Sequence, residues 1–200
     1  MRRLARVIVT PLGAPVVALL AALGAAGGAV AAEASRPEPV VLRAEVAAPR
    51  DEIWRALTTA EGARSFLAER ALVDARVDGA FEMYFLPEQP SGLQGTEGAR
   101  ILAMEAPHRL MLSWNAPPRF GRYRDQRTVV EFELSPLANG RTLVTLSHGG
   151  WGRGVGWHEV RDYFARAWPA VLGRLQHRFA RGPVDWDRPP GPESFVRFGE

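Results

Sequence analysis

The chain of 200 residues is long enough for one domain with a sizeable core, and 46% of its residues are hydrophobic. Its formal net charge is +3, and every basic residue is an arginine. Three of the 25 arginines precede residue 33, which leaves 22 arginines against all 22 acidic residues in the rest of the chain. Because this balance is neutral and contains no basic block, we predict no nucleic-acid partner.

Residues 1–34 are predicted to be a signal peptide. Arg2 and Arg3 form a short positive region, an apolar stretch follows, and residues 29–34 contain two Ala-x-Ala cleavage sites. An uncleaved membrane anchor is the alternative, although prolines and small residues make the stretch a poor membrane-spanning helix. We therefore expect a periplasmic or secreted protein that contacts a membrane only if this segment stays attached. Because the sequence has no cysteine, we expect neither a disulfide nor a lipid-bearing thiol.

The folded domain is predicted to span residues 35–182 and to begin with a strand and two short helices. Residues 40–47 alternate between apolar and polar, which is typical of a half-buried strand. Pro49 opens a helix with acidic residues in its first turn, where the helix dipole favours negative charge. Thr59 is a candidate N-cap for a second helix that ends near Leu67.

Short strands joined by tight turns are predicted to follow as far as residue 148. Asp78-Gly79 and Asn139-Gly140 are typical hairpin turns. The alternating runs predict strands over 71–77, 80–86, 98–104, 109–115, 130–134 and 141–148. Residues 116–126 are rich in proline and arginine and are interpreted as a mobile loop. Directly adjacent short strands indicate an antiparallel meander with one solvated face.

A long amphipathic helix is predicted to close the domain. Apolar residues recur at spacings of three and four between residues 157 and 179, and Gly182 followed by a proline supplies a stop signal. Pro169 lies inside the run and predicts either a kink or a break of the helix. Residues 183–200 are rich in proline and are interpreted as a partly ordered tail.

The order of strand, two short helices, antiparallel strands and long C-terminal helix resembles the helix-grip fold of the START-like superfamily, also called SRPBCC. Within it, the chain is similar to homologues of the activator of the heat-shock chaperone ATPase. The matching text is VAAPRDEIWRALTTAEGARSFL (46–67), VDGAFEMYF (77–85), TLVTLSHGGW (142–151) and YFARAWPAVLGRL (163–175). The second short helix departs from the family pattern, because it ends in Ser-Phe-Leu where many relatives carry a tryptophan beside an aromatic residue.

The resemblance implies an α+β fold in which a curved antiparallel sheet of about six to seven strands wraps around the long helix and leaves an apolar cavity. A dry cavity of about 300 Å³ would cost roughly 7 kcal/mol. That cost is comparable with the stability of a whole domain, so the cavity should be small, hydrated or filled by ligand. The residues expected to face it, as core, as ligand-binding wall or as both, are Phe81, Met83, Phe85, Trp114, Phe132 and Leu146 from the sheet, and Trp157, Phe164 and Trp168 from the helix.

The run SHGGWGRGVGWHE (147–159) contains five glycines and does not fit a nucleotide site. A dinucleotide loop needs Gly-x-Gly-x-x-Gly between a parallel strand and its helix, whereas these glycines alternate and follow an antiparallel strand. Two interpretations stay open. Trp151 and Trp157 could cap the cavity as part of a glycine-hinged gate, or they could simply cover the end of the core beside a flexible connector.

No metal or other cofactor is predicted. His158 and Asp162 would share a helix face, but the second histidine of the zincin signature is missing, and His148 would have to fold back to contribute. An enzyme resembling the cyclases or hydrolases of the superfamily is one alternative. Tyr84, His148, His158 and Tyr163 would then lie near the cavity mouth, where a buried histidine would be poised near neutral pH.

We predict a domain that binds a small hydrophobic or amphipathic molecule without catalysing a reaction. Neither a nucleophile-base motif nor a carboxylate pair supports the enzyme alternative. A second alternative is a stress-related protein-interaction or folding helper with an exposed apolar patch around Trp186 and Phe195. The sequence carries no signal for an oligomeric state.

Overall fold

A computed structural model describes residues 35–190, so the predicted signal peptide and Phe195 lie outside the described residues. The strands are β1 (Val40–Val46), β2 (Arg70–Val73), β3 (Phe81–Tyr84), β4 (Ile101–Glu105), β5 (Arg109–Trp114), β6 (Thr128–Pro136) and β7 (Thr142–Gly149). The α-helices are α1 (Arg50–Thr58), α2 (Ala60–Arg64) and α3 (Val155–Arg181). None of the helices in this part of the chain combines the length and the apolarity that a membrane crossing requires.

The sheet is antiparallel throughout, which confirms the predicted α+β helix-grip fold. Five strands pair in the order β1-β7-β6-β5-β4, and β2 and β3 form a separate pair. Two isolated bridges, from Ala80 to Arg100 and from Tyr84 to Gly95, join that pair to the segment that precedes β4. Burial alternates along β6 and β7, so one face of the sheet is buried and the other meets solvent.

The local signals of the sequence have the predicted structural roles. Asp78 and Asn139 take positive φ angles of 64° and 61° at the two hairpin turns. Thr59 caps α2, because its hydroxyl oxygen accepts a hydrogen bond from the Gly62 amide at 3.0 Å. The helix α2 ends at Arg64, somewhat earlier than predicted.

Helix α3 runs over 27 residues and passes through Pro169, so the proline does not break it. A proline inside a helix costs about 3 kcal/mol because it removes a hydrogen bond and crowds the preceding turn. Trp168 and Leu172, on either side of Pro169, are both buried against the core. We attribute the continuity of α3 to this packing, since burying two large side chains offsets a penalty of that size.

The segment between β5 and β6 is more ordered than the predicted loop. It contains a 3-10 segment over Pro118–Arg124 that is kinked at Gly121. The Arg124 guanidinium donates hydrogen bonds to the carbonyl oxygens of Ala116 and Gly95, each at 2.8 Å. One side chain therefore fixes this segment to the loop that follows β3.

The chain continues to pack on the domain beyond Gly182. The Val184 amide donates to the Ser65 carbonyl oxygen at 2.9 Å, and the Val184 side chain is buried. The Trp186 indole N–H donates to the Arg64 carbonyl oxygen at 2.7 Å. The predicted tail therefore begins as a segment docked against α2, and Trp186 belongs to that contact.

Candidate functional site

A cavity of about 650 Å³ lies between α3, the end of β5, and the loops that follow β3 and β5. Its volume is within the usual range of small-molecule sites. Four of the aromatic residues that the sequence predicted for a binding wall line it: Phe85, Trp114, Phe164 and Trp168.

These four rings form a continuous aromatic wall. The ring centroids of Phe85 and Trp114 are 6.4 Å apart, and those of Trp114 and Trp168 are 5.3 Å apart. Phe164 stacks on Trp168 with centroids 6.0 Å apart. Distances of this size are typical of favourable aromatic pairs, so the wall is a preformed apolar surface.

The mouth of the cavity is partly apolar and open to solvent. Phe85 and Leu86 are 44% and 39% exposed, although both are large hydrophobic residues. Arg119 is an exposed lining residue, and its guanidinium carbon lies 4.4 Å from the centroid of the Tyr163 ring. A molecule in solution therefore has access to the aromatic wall.

The other predicted wall residues, together with the predicted cap Trp151, are buried in the core and do not line the cavity. They are Phe81, Met83, Phe132, Leu146, Trp151 and Trp157. Their inward direction follows from the alternation along the strands and the spacing along α3. The same pattern does not distinguish where α3 packs directly on the sheet from where it stands away from it. It therefore assigns too many residues to the cavity wall.

Several cavity residues were not predicted as part of the wall. Ala167, Ala170, Val171 and Arg174 continue the face of α3 that carries Phe164, at spacings of three and four. Extending the helical periodicity would have found them. Gln94 and its neighbours lie in the loop after β3, where no periodic signal exists.

The glycine run serves close packing beside two buried tryptophans. A Cβ atom at Gly152 would lie 2.2 Å from Nε1 of Trp157, and one at Gly156 would lie 2.1 Å from the Tyr123 hydroxyl oxygen. Both distances are far below van der Waals contact; at Gly152 the buried Trp157 ring leaves room only for glycine, whereas at Gly156 the half-buried Tyr123 ring would have to shift. Trp151 and Trp157 are buried. This arrangement favours the interpretation in which the tryptophans cover the end of the core over the one in which they gate the cavity.

His148 joins the aromatic wall to the sheet through a buried chain of hydrogen bonds. The Trp168 indole N–H donates to Nδ1 of His148 at 2.9 Å. Since Nδ1 accepts, Nε2 carries the proton and donates to the Thr128 hydroxyl oxygen at 2.8 Å. The Thr128 hydroxyl then donates to the Trp114 carbonyl oxygen at 3.3 Å. The network fixes one neutral tautomer of His148 and orients the Trp168 ring.

The expectation that a buried histidine would titrate near neutral pH is wrong for His148. Its ring lies 4.3 Å from the centroids of both Trp151 and Phe164, and the side chain is completely buried. Burial lowers the pKa of His148 well below its ordinary value, because the charged ring would lose its hydration. His148 therefore stays neutral at neutral pH and acts as a structural hydrogen-bonding group.

The other acid–base candidates do not converge on the cavity. The Tyr84 hydroxyl donates to Oε2 of Glu82 at 2.6 Å, and this hydrogen bond, with some burial, raises the pKa of Tyr84 to about 12. His158 lies in the first turns of α3 and is not a cavity residue. Of the four candidates, only Tyr163 lines the cavity. Among residues 35–190, no three side chains of His, Asp or Glu are grouped so that they could hold a metal ion.

The fold and the site together define a helix-grip domain with an open cavity lined by aromatic rings, an arrangement compatible with ligand binding. The chain belongs to the family described as Activator of Hsp90 ATPase homolog 1-like protein, whose model matches residues 47–180. No curated protein matches the chain.

Solved structures share this fold. The protein MLL2253 from Mesorhizobium loti is 21% identical with a TM-score of 0.59, over 74% of this chain and 100% of that one. The Aha1 dimer from Colwellia psychrerythraea is 16% identical with a TM-score of 0.54, over 73% and 98% of the two chains. CalU16 from Micromonospora echinospora is 25% identical with a TM-score of 0.53, over 74% and 78%. At these identities the comparisons support the fold, and function has to be argued from the cavity.

Proposed function

We propose that this domain binds a small hydrophobic or amphipathic molecule in the cavity between α3 and the sheet, without catalysing a reaction on it. The observation that carries the proposal is the continuous aromatic wall from Phe85 to Phe164 along a cavity of about 650 Å³. Sites for small molecules are concave and mostly apolar, with a few polar groups that fix orientation.

The size of the cavity supports the same conclusion. A volume of about 650 Å³ suits a small molecule, and the open mouth lets water fill the cavity when no ligand is bound. Water against an aromatic wall gains few hydrogen bonds, so an apolar molecule that displaces it would bind favourably.

The polar groups support binding more than catalysis. A general acid or base has to reach the reacting atoms within hydrogen-bond distance. His148 and Tyr84 use their polar atoms in hydrogen bonds within the protein and do not line the cavity. A cyclase- or hydrolase-like enzyme would have to rely on Tyr163, the only acid–base candidate on the wall.

Export of the protein is a separate proposal, and it rests on residues 1–34 alone. A full-length protein with a C-terminal tag should appear in the periplasmic or extracellular fraction and be shorter by about 30 residues. A full-length product in the membrane fraction would instead support the anchor alternative.

The binding proposal is tested by filling the cavity. The uncharged fluorescent probe N-phenyl-1-naphthylamine is titrated into the wild type, Ala167→Trp and Arg166→Trp. Ala167 lines the cavity, and Arg166, its neighbour on α3, is exposed and does not. We expect saturable binding of the probe to the wild type and to Arg166→Trp. Binding to Ala167→Trp should be weaker by about tenfold or more. No saturable binding, or equal affinity in all three proteins, would contradict the proposal.

A further inference from the structure

We propose that the ligand is an amphipathic anion whose negatively charged oxygens bind the guanidinium of Arg174 while its apolar body lies along the aromatic wall. This inference rests on the proposed binding function and names the chemistry of the molecule that the cavity takes.

The charge lining the cavity has one sign. Arg119, Arg124 and Arg174 are among its wall residues, and no aspartate or glutamate is. Residues 35–190 as a whole carry 21 arginines against 19 acidic residues, so the absence of acidic residues from the cavity wall is local, and it makes the cavity a place where anions are favoured.

Arg124 is already paired within the protein, and Arg119 is exposed to solvent. The Arg124 guanidinium donates to the carbonyl oxygens of Gly92 and Gly95 at 2.7 and 2.8 Å, and it lies 3.3 Å from the Glu97 carboxylate. Arg119 stacks on Tyr163 at the exposed mouth, where water competes for its charge.

Arg174 differs from both. Its Nε donates to the Phe66 carbonyl oxygen at 2.9 Å, and its guanidinium carbon lies 5.5 Å from the centroid of the Trp186 ring. Within residues 35–190, no carboxylate lies within 4.0 Å of it, and neither Nη group has a hydrogen-bond acceptor. Arg174 is thus a cavity-lining residue whose two Nη groups have no partner among residues 35–190.

The surroundings of Arg174 make an anionic partner favourable. Burial lowers the pKa of its guanidinium, because contact with water is reduced and no carboxylate among residues 35–190 compensates. Arginine remains charged under all ordinary conditions, so the cost of burial is retained in the free protein. A carboxylate, sulfonate or phosphate oxygen at the Nη groups would offset it through charge-assisted hydrogen bonds.

The position of Arg174 along α3 sets the shape of the ligand. Phe164 and Arg174 are ten residues apart, which corresponds to about 15 Å along a helix axis. The aromatic wall occupies the Phe164 side, with Trp168 between the two. The geometry fits an elongated molecule with rings or an alkyl chain at one end and an anionic group at the other.

The test uses two probes with the same aromatic body. 1-Anilinonaphthalene-8-sulfonate carries an anionic group, and N-phenyl-1-naphthylamine is the same molecule without it. In Arg174→Met, the Kd for the sulfonate is expected to rise about tenfold, while the Kd for the neutral probe changes less than twofold. Arg174→Lys keeps the charge and should recover part of the sulfonate affinity. Dodecanoate should compete for the sulfonate site in the wild type, which would extend the chemistry to carboxylates.

The matched control is Arg178→Met, one turn further along α3. Arg178 donates to the Ser65 hydroxyl oxygen at 2.9 Å and does not line the cavity, so both affinities should stay within twofold of the wild type. Equal losses for both probes in Arg174→Met, or no loss for the sulfonate, would overturn the inference and leave the proposed function standing. Failure of both probes to bind the wild type would overturn the proposed function itself.

A measurement on the wild type covers the case in which Arg174→Met does not fold. In protein labelled with ¹⁵N-arginine, the sulfonate should shift the Arg174 Nε–H resonance, assigned through Arg174→Lys, and the neutral probe should leave it in place. A shift of the Arg119 resonance without one at Arg174 would place the anion at the mouth and refute the assignment.

Discussion

Lowering the pH from about 7.5 to about 5.5 is expected to destabilise this domain by about 1.4 kcal/mol through His148 alone. Burial lowers the pKa of His148 well below 6.5 in the folded protein, whereas the unfolded chain titrates near the ordinary value. At pH values below the pKa of the unfolded chain, only the unfolded state takes up the proton, so the free energy of unfolding falls as the pH falls. Above it, both states are neutral and the contribution is fully present.

The structure gives the reason for the size of the effect. His148 is completely buried, and the groups around it are the aromatic rings of Trp151, Phe164 and Trp168 and the hydroxyl of Thr128. None of these would stabilise a charged ring by an ion pair. The folded state therefore keeps the ring neutral, and each pH unit below the unfolded pKa costs about 1.4 kcal/mol until the folded pKa is reached.

The assay is urea unfolding followed by circular dichroism for the wild type and His148→Gln. Glutamine can accept from Trp168 and donate to Thr128, and it does not titrate. The carboxylates contribute equally to both proteins, so the difference between the two pH dependences isolates His148. The wild type should lose about 1.4 kcal/mol more than the variant between the two pH values. Equal losses in the two proteins would refute the buried, neutral assignment of His148.

Two further substitutions test the packing around the site. Gly152→Ala places a Cβ against the ring of Trp157 and should lower stability by about 1–3 kcal/mol, measured by thermal unfolding. Gly149→Ala is its control, because a Cβ there meets Pro39 at an ordinary 3.5 Å; equal effects of the two changes would contradict the packing explanation. Trp168→Phe keeps an aromatic ring but removes the N–H that bonds Nδ1 of His148, and the unsatisfied nitrogen should cost about 1–3 kcal/mol in urea unfolding. An unchanged midpoint would show that the indole N–H is not a significant part of the network.

Much of the fold was predictable because its signals are short-range. The hairpin turn at Asn139, the cap at Thr59 and the apolar stripe of α3 each depend on residues within a few positions of one another. Where the prediction was less complete, contacts distant in sequence decided the outcome. The 3-10 helix around residue 120 is anchored by Arg124 to a loop about 30 positions earlier, which no local pattern indicates.

The sequence by itself determined the direction of most side chains on the strands and on α3, because alternation along a strand and three-to-four spacing along a helix fix it. Only the tertiary structure decided which of them border open space. Phe132 and Trp168 both point inward, yet the first is packed in the core and the second faces the cavity. It also decided that Arg174 has no carboxylate partner among the described residues while Arg124 has one. Direction is a local property of the backbone, whereas packing density and charge pairing depend on elements brought together from distant parts of the chain.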